Sequence, residues 1–253
     1  VGSRVTQFQP GQRVLAVTDF GGYAELAVAK EQGCFHLPEI MSFAQGASIP
    51  VIFLTAYHLL YNTGTFLPHA KILIHAAAGG VGLAAIQLAK LKNSEIFGTA
   101  SSEKKLQLLR EWGVQHPINY MEQDFVQEVL KITNGEGVDM VLDPLGGSSF
   151  KKGLKILRPH GRLLAYGAAG LSERTGLKKL KLLPQIVSML TLNTIDMMLK
   201  SKGFYAVNMN IIGKKRPELM IESMKAIFEL FEAGKLKTII SQDHTDDPFL
   251  LHT

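Results

Sequence analysis

Short apolar runs alternate with segments of helical periodicity between residues 71 and 170. Five runs have the length of strands and lie at 71–78, 94–100, 116–120, 138–145 and 161–170. The helical segments between them lie at 80–92, 103–112, 124–132 and 149–157. Alternation of this kind is typical of β-α-β units around a parallel sheet. The pattern therefore predicts a doubly wound α/β fold for this part of the chain.

The pattern changes on both sides of this region. Residues 1–46 contain short alternating segments at 13–17 and 23–29, joined by glycines, which predicts a small antiparallel β domain. Residues 50–64 predict a linking helix. The later predicted elements are a basic helical stretch at 177–200, a strand at 204–212, a helix at 217–233 and a strand at 237–240. The expected domains are 1–46 and 47–240, followed by an irregular tail at 241–253.

The charge distribution argues against a nucleic-acid partner. The chain has 27 Lys and Arg against 22 Asp and Glu, a net charge of +5. Most of the excess lies in the stretches 151–162 and 174–181, which is sparser than a nucleic-acid-binding stripe. No interleaving of basic and aromatic residues suggests a base-stacking platform. We therefore expect no nucleic acid among the partners.

Two apolar stretches, 48–60 and 182–199, are the candidates for membrane contact. Both are interrupted by polar residues and fall short of the roughly 20 apolar residues of a transmembrane helix. The amino terminus lacks the apolar core of a signal peptide, so the sequence predicts a cytoplasmic protein. The stretch 173–200 joins basic and apolar residues, which suits a peripheral helix at a membrane surface. Packing within the chain or in a dimer explains the same composition.

Metal and hydrolytic chemistry have no support in the sequence. Cys34 is the single cysteine, which excludes an intrachain disulfide and a Cys-based zinc cluster. The eight histidines form no H-x-x-H or H-E pair that would supply ligands for catalytic zinc. No G-x-S-x-G nucleophile elbow is present. We expect no metal, and we expect His75 to have a packing role.

The motif that carries the chemistry is HAAAGGVGLAAIQLAK at 75–90, where the first of the five strands ends in small residues and opens a helix. Amides at a helix start point outward and the helix dipole favours an anion, so a pyrophosphate can lie against this turn. The turn consists of Gly79, Gly80, Val81 and Gly82. The fingerprint is G-x-G-x-x-G, and Ala77 occupies its first glycine position. A tight connection without a ligand is the alternative, but this position in a doubly wound sheet favours a dinucleotide.

The end of the second strand indicates which nicotinamide cofactor binds. An NAD site places Asp or Glu there to accept hydrogen bonds from the ribose hydroxyls. This chain has Ser101 and Ser102 instead, followed by Lys104 and Lys105. Hydroxyls can donate to a 2′-phosphate and a lysine can neutralise it, which favours NADPH over NADH. Alternatively, a serine caps the next helix and the lysines lie on its solvated face.

The chain resembles the zinc-independent quinone oxidoreductase branch of the medium-chain dehydrogenase/reductase family in six segments that keep the family's order and spacing. They are GGYAELAVA, IPVIFLTAYHLL, HAAAGGVGLAAIQLAK, GTASSEKK, HPINY and VDMVLDPLGG. HPINY and DPLGG, with a later GF pair, are most similar to the vesicle amine transport protein group. The resemblance implies a doubly wound parallel Rossmann sheet at 47–240 with a partial GroES-like antiparallel β domain at 1–46. It also implies a homodimer.

The resemblance further implies an activity and its site residues. The activity is hydride transfer from NADPH to a quinone or an α,β-unsaturated carbonyl, and the alternative is an NADPH-binding, membrane-associated protein with little turnover. The glycine turn would contact the pyrophosphate, and the 2′-phosphate contacts would be Ser101, Lys105 and Tyr120. The residues that flank the ribose and nicotinamide would be Thr55, Leu145, Gly146 and Gly167. A substrate carbonyl needs a polarising donor, for which Tyr57 is the candidate, with helix packing as its alternative role.

Chains of this family normally begin earlier and end in a helix and strand that complete the GroES-like domain. The sequence therefore predicts a fragment, a mispredicted gene model or a degenerate relative, with unpaired strand edges in its β domain. We expect such a chain to bind NADPH and to reduce quinones poorly, because misplacement of about 1 Å already costs on the order of 100-fold in rate.

Overall fold

The computed structural model describes residues 1–18, 21–22, 24–167, 193–238 and 240. Its strands are β1 (Val14–Ala16), β2 (Cys34–His36), β3 (Lys71–Ile74), β4 (Glu95–Ala100), β5 (His116–Asn119), β6 (Val138–Asp143), β7 (Leu157–Ala165) and β8 (Gly203–Ala206). Its helices are α1 (Phe43–Ala47), α2 (Pro50–Tyr57), α3 (Gly80–Lys90), α4 (Glu103–Glu111), α5 (Phe125–Ile132), α6 (Ser148–Lys155), α7 (Thr194–Leu199), α8 (Met209–Lys215) and α9 (Pro217–Glu232).

The chain divides into two compact units. One contains residues 1–54 together with the described residues from 209 onward, and the other contains residues 55–208. Helix α9 thus falls in the same unit as the amino-terminal strands, whereas the sequence grouped it with the dinucleotide-binding part. The domain boundaries at 46 and 240 stay a prediction.

The unit 55–208 is built on a six-stranded parallel sheet in the order β5-β4-β3-β6-β7-β8. The chain runs outward from β3 to β5 and then returns to place β6 on the other side of β3. The switch point of the sheet therefore lies at the carboxyl ends of β3 and β6, where such sheets form their ligand crevice. The predicted doubly wound α/β fold is confirmed.

One face of this sheet carries a large apolar cluster. Leu73, Phe97 and Val141 project from β3, β4 and β6 and are fully buried. Phe125 and Val129 of α5 and Phe150 of α6 pack on them. Because successive side chains of a strand alternate between faces, the residues two positions further along each of these strands lie on this same face.

The unit that contains residues 1–54 is smaller. Its strands β1 and β2 pair antiparallel, with Leu15 opposite Phe35. Helix α1 begins at a capping box, in which the Ser42 hydroxyl accepts the Gln45 amide and the Gln45 side chain accepts the Ser42 amide. Phe53 of α2 meets Phe231 of α9 edge to face, with ring centroids 5.0 Å apart. The antiparallel β domain predicted for the amino terminus is confirmed in its type.

Several predicted strand boundaries differ from the structure. The first strand, predicted to reach residue 78, ends at Ile74, because the chain turns at Ala76, whose φ is 50°. The fifth strand begins at Leu157 rather than 161, and a register shift next to Val138 accommodates the extra residues. Periodicity does not register a turn or a bulge, so neither boundary follows from the pattern.

Of three further predicted strands, one is shorter than predicted and the described residues of the other two form no strand. The predicted strand at 204–212 ends at Ala206 and is followed by α8. Residues 237, 238 and 240 form no strand. Residues 24–29 are also outside any strand, and Leu26 and Val28 are 91% and 97% exposed. Alternation produces a strand only where a neighbour pairs with it and a core covers its apolar side chains.

The predicted basic helix at 177–200 lies largely outside the described residues, as does the predicted tail at 241–253. Helix α7 is its described part, and the side chains of Ile195, Met198 and Leu199 are exposed. None of the described helices combines the length and the hydropathy needed to cross a membrane.

Candidate functional site

The glycine turn connects β3 to α3 at the switch point. The Ala77 amide donates to the Thr99 carbonyl at 3.0 Å, which holds the turn against β4. Gly79 is the N-cap of α3 and has an extended backbone, with φ −83° and ψ 169°. The first amides of a helix have no partner within it. The amides of Gly80, Val81 and Gly82 are therefore at the start of an 11-residue helix, as the sequence predicted.

Gly82 has a packing role that the sequence did not separate from ligand binding. A Cβ at this position would lie 2.6 Å from the Ala77 Cα and would also meet the Ala77 carbonyl oxygen. Helix α3 can therefore approach the turn only with glycine at this position. Gly79 is exposed, and a Cβ there would lie 3.2 Å from the Ala76 carbonyl oxygen.

A pocket of about 170 Å³ opens beside the turn. It brings together four residues that the sequence singled out, Gly79, Ser101, Lys105 and Tyr120. The other lining residues are Ala76, Ala78, Thr99 and Ala100. Among the described residues, no carboxylate lines this pocket. Its composition is that expected of a site for a phosphate rather than for free ribose hydroxyls.

The side chains at the rim of the pocket are available to a ligand. Ser102, which is not among the lining residues, is the N-cap of α4, and its side chain makes no capping hydrogen bond. Lys105 is exposed and forms no ion pair or hydrogen bond within the described part of the chain. By contrast, Glu103 pairs with Arg110 at 2.6 Å. Tyr120, which follows β5, is 49% exposed.

The loops after β6 and β7 hold three further predicted residues. The Asp143 Oδ1 atom accepts the amides of Leu145 at 2.7 Å and Gly146 at 3.2 Å, which closes the turn after β6. Gly146 has a φ of 77°, a conformation that favours glycine. Gly167 follows β7 and is exposed, and a Cβ there would lie 2.9 Å from the Pro144 carbonyl oxygen. These residues lie at the carboxyl edge of the sheet but do not line the pocket.

Thr55 and Tyr57 lie on α2 and are likewise not among the lining residues of the pocket. Thr55 is buried, with 7% of its surface exposed. The Tyr57 ring stacks on Tyr61 with centroids 4.7 Å apart. The Tyr61 hydroxyl donates to the Leu88 carbonyl, and burial together with Tyr57 raises the pKa of Tyr61 to about 12. The role of Tyr57 as a donor to substrate stays a prediction.

Sequence reasoning missed two buried polar residues beneath the site, Thr99 and Asp143. Both are fully buried at the carboxyl ends of their strands. His75 lies between them, and burial lowers its pKa, opposed by the negative charge of Asp143. Burial, with a further contribution from Asp143, raises the pKa of Tyr166. The sequence feature that could have identified Thr99 and Asp143 is a polar residue at the end of an otherwise apolar strand.

Zinc does not fit the described residues. No group of three or more His, Cys, Asp or Glu side chains in them is arranged to hold a metal ion. Cys34 donates to the Lys30 carbonyl, with its Sγ 3.3 Å from that oxygen, and burial is the main cause that raises the pKa of its thiol. A zinc ligand has to be a thiolate, so this environment does not favour binding.

Comparison with known proteins places the chain in a family. The family model described as zinc-binding dehydrogenase matches residues 80–208. The synaptic vesicle membrane protein VAT-1 homolog of Danio rerio is 36% identical over 245 residues, which is 96% of this chain and 50% of that protein. The VAT-1 protein of Tetronarce californica is 36% identical over 94% of this chain and 62% of that protein. The chain thus spans about half to three fifths of the length of these relatives.

Solved structures agree with these sequence matches. The Escherichia coli quinone oxidoreductase complexed with NADPH superposes with a TM-score of 0.78 at 29% identity, over 95% of this chain and 69% of that one. The CurK enoyl reductase superposes with a TM-score of 0.77 at 30% identity, over 95% of this chain and 67% of that one. The Rossmann sheet with a partial GroES-like domain is confirmed as the fold.

A parallel doubly wound sheet with a glycine turn at its switch point defines a Rossmann-type α/β protein. More particularly, the chain belongs to the medium-chain dehydrogenase/reductase family, in its zinc-independent quinone oxidoreductase branch and close to the VAT-1 proteins.

Proposed function

We propose that this chain binds NADPH and reduces quinones or α,β-unsaturated carbonyls by hydride transfer. The pocket that joins Gly79 to Ser101, Lys105 and Tyr120 carries the proposal. It combines a helix start, a hydroxyl and an unpaired cation without a carboxylate, a combination suited to a dinucleotide with a 2′-phosphate.

The cofactor-binding residues have separate roles in this proposal. The amides at the start of α3, from Gly80 to Gly82, hold the pyrophosphate. Lys105 and Ser101 both donate charge-assisted hydrogen bonds to the anionic 2′-phosphate. The half-exposed Tyr120 ring lies against the adenosine end. Leu145, Gly146, Gly167 and Thr55 flank the ribose and nicotinamide.

The reducing chemistry comes from the cofactor, since bound NADPH supplies the hydride. The protein orients the acceptor and polarises its carbonyl, and Tyr57 is the proposed hydrogen-bond donor. The names of the similar structures support the acceptor class, because one is a quinone oxidoreductase and another an enoyl reductase. Quinones and enones share a carbon–carbon double bond conjugated to a carbonyl, which is the group that accepts a hydride.

The proposal includes a homodimer. Strand β8 is one of the two edges of the described six-stranded sheet, the other being β5, and an uncovered edge presents unpaired backbone groups. Pairing with a second copy would satisfy them. Light scattering tests this, and a monomer at micromolar concentration would contradict it.

The experiment that tests the function has a binding arm and a turnover arm. NADPH and NADH are titrated against the protein, and NADPH oxidation is followed with a panel of small quinones and enones. Tighter binding of NADPH and its oxidation by at least one acceptor class would support the proposal. Failure to bind either cofactor would refute it.

A second candidate is an NADPH-binding protein with little turnover that attaches to membranes. The exposed apolar side chains of α7 favour it, since Ile195, Met198 and Leu199 are 66%, 73% and 76% exposed. Binding of NADPH without oxidation, together with sedimentation on anionic phospholipid vesicles, would select this candidate. A Leu199→Gln variant should then sediment less.

A further inference from the structure

A row of polar side chains crosses the sheet directly beneath the cofactor crevice. The strand register places Ile74 opposite both Gly98 and Leu142. The residues one step further on these adjacent strands, Thr99, His75 and Asp143, therefore stand side by side on one face. Their exposed fractions are 0%, 1% and 0%. They lie above the apolar cluster of Leu73, Phe97 and Val141 and are buried from bulk solvent.

Each end of the row holds one turn of the crevice. The Thr99 Oγ1 atom accepts the Ala76 amide at 3.3 Å and lies 3.1 Å from the His75 Nδ1 atom. The Ala76 carbonyl in turn accepts the Gly79 amide at 2.9 Å, which connects Thr99 to the glycine turn. At the other end, Asp143 accepts the amides of Leu145 and Gly146 in the turn after β6.

The middle of the row contains two unsatisfied atoms. The His75 Nε2 and Asp143 Oδ2 atoms are both buried and have no hydrogen-bond partner among the described residues. If Thr99 accepts from Ala76 and donates its own proton to His75 Nδ1, the histidine carries its proton on Nε2. The two atoms are then a donor and an acceptor on neighbouring strands. Buried polar atoms are nearly always paired, directly or through an ordered water.

We propose that Thr99, His75 and Asp143 form a positioning row that couples the pyrophosphate turn to the nicotinamide-side turn through one water that bridges His75 Nε2 and Asp143 Oδ2. The inference rests on the proposed function, because the two turns are those assigned to NADPH. The row fixes the turns relative to each other, so the cofactor meets both in one geometry.

Amide hydrogen exchange in two variants tests the coupling. Thr99→Val should speed exchange at Leu145 and Gly146, which Thr99 does not touch, and should weaken NADPH binding about five- to tenfold, the effect of one hydrogen bond. Asp143→Asn keeps an oxygen that accepts the amides of Leu145 and Gly146, but it replaces the acceptor on the Nε2 side with an amide donor. Since Nε2 is itself a donor, the link is lost and exchange at Ala76 should speed up. Thr99→Ser keeps the hydroxyl and should restore wild-type exchange and affinity.

Thr133, the C-cap of α5, provides a matched control near the amino end of β6. It is buried, accepts the Gly137 amide at 2.9 Å and donates to the Val129 carbonyl at 2.7 Å. Thr133→Val therefore removes a comparable buried hydroxyl. It should lower global stability while leaving NADPH affinity and the local exchange of Leu145 and Gly146 unchanged.

The possible outcomes distinguish a failure of the proposed row from a failure of the proposed function. If Thr99→Val changes exchange at Leu145 and Gly146 no more than Thr133→Val does, the row is overturned even if NADPH binds. Should Thr99→Val not fold, unchanged Ala76 exchange in Asp143→Asn overturns it equally. Coupled exchange in a protein that binds neither NADPH nor NADH supports the row and refutes the proposed function.

Discussion

Lys104 and Lys105 are adjacent lysines at the start of α4, yet only Lys105 lines the pocket. Both side chains are exposed, so exposure to solvent does not distinguish the two lysines. The sequence could place Gly79, Ser101 and Lys105 because each has a defined position after a strand. It could not assign Thr99 a role, because the strand pairing that puts this hydroxyl beside His75 is a tertiary contact.

The two lysines give a prediction for cofactor preference. Lys105→Ala should weaken NADPH binding by about 1.5–3 kcal/mol, or roughly 10- to 150-fold, because a charge-assisted hydrogen bond is lost. NADH has no 2′-phosphate, so its affinity should stay unchanged. Isothermal titration calorimetry measures both, with Lys104→Ala as the control that retains the pocket. An equal loss for the two cofactors would show that Lys105 does not contact the 2′-phosphate.

The buried histidines predict a dependence of folding stability on pH. Burial lowers the pKa of His75 and of His58 from the ordinary 6.5. Below about 6.5 the unfolded chain takes up protons that the folded chain excludes, so stability is fully present above this pH and falls as the pH is lowered. Each histidine contributes at most about 1.4 kcal/mol per pH unit.

Urea unfolding between pH 5 and pH 8 checks this expectation. His75→Gln should flatten the dependence on pH below 6.5, because Gln does not titrate. A steeper loss of stability in His75→Gln than in the wild type would contradict the assignment.

At the scale of elements, the order of strands and helices from β3 to β7 follows from the sequence because each apolar run is long enough to be buried. The same reasoning fails at residues 24–29 and at residues 237, 238 and 240, which have no neighbouring strand in the described chain. It also fails to distinguish the two uses of glycine in the turn. Gly82 is required by helix packing, which depends on the approach of α3 to Ala77.

The packing of α3 predicts the effect of a single methyl group. Gly82→Ala should lower the free energy of unfolding by about 1–3 kcal/mol, because the new Cβ overlaps the Ala77 backbone. Gly213→Ala is the matched helical substitution, since its Cβ would meet only Met220 at 3.9 Å. It should be neutral or stabilising by up to about 1 kcal/mol. Urea unfolding of the two variants compares them, and an undiminished stability in Gly82→Ala would contradict the packing role.

At the scale of the whole molecule, the two compact units should respond differently to cofactor. All residues proposed to bind NADPH lie within residues 55–208. Saturation at 100 times the dissociation constant stabilises the binding-competent state by about 2.7 kcal/mol. We expect hydrogen exchange to slow in α3, α4 and β4 and to change less in α9. Uniform protection of both units would indicate that they unfold as one, and protection confined to α9 would contradict the site.

The pocket combines a turn of backbone atoms with a rim of side chains, and this difference has an evolutionary consequence. The glycine turn is made of backbone atoms fixed by packing, whereas the rim proposed to recognise the 2′-phosphate is made of exposed or partly exposed side chains. Substitutions at Ser101, Lys105 or Tyr120 should therefore have little effect on folding. Substitutions at Gly82 should destabilise the fold and be removed by selection. Descendants of such a chain can exchange one nicotinamide dinucleotide for the other by a few surface substitutions, and protein engineers can follow the same route.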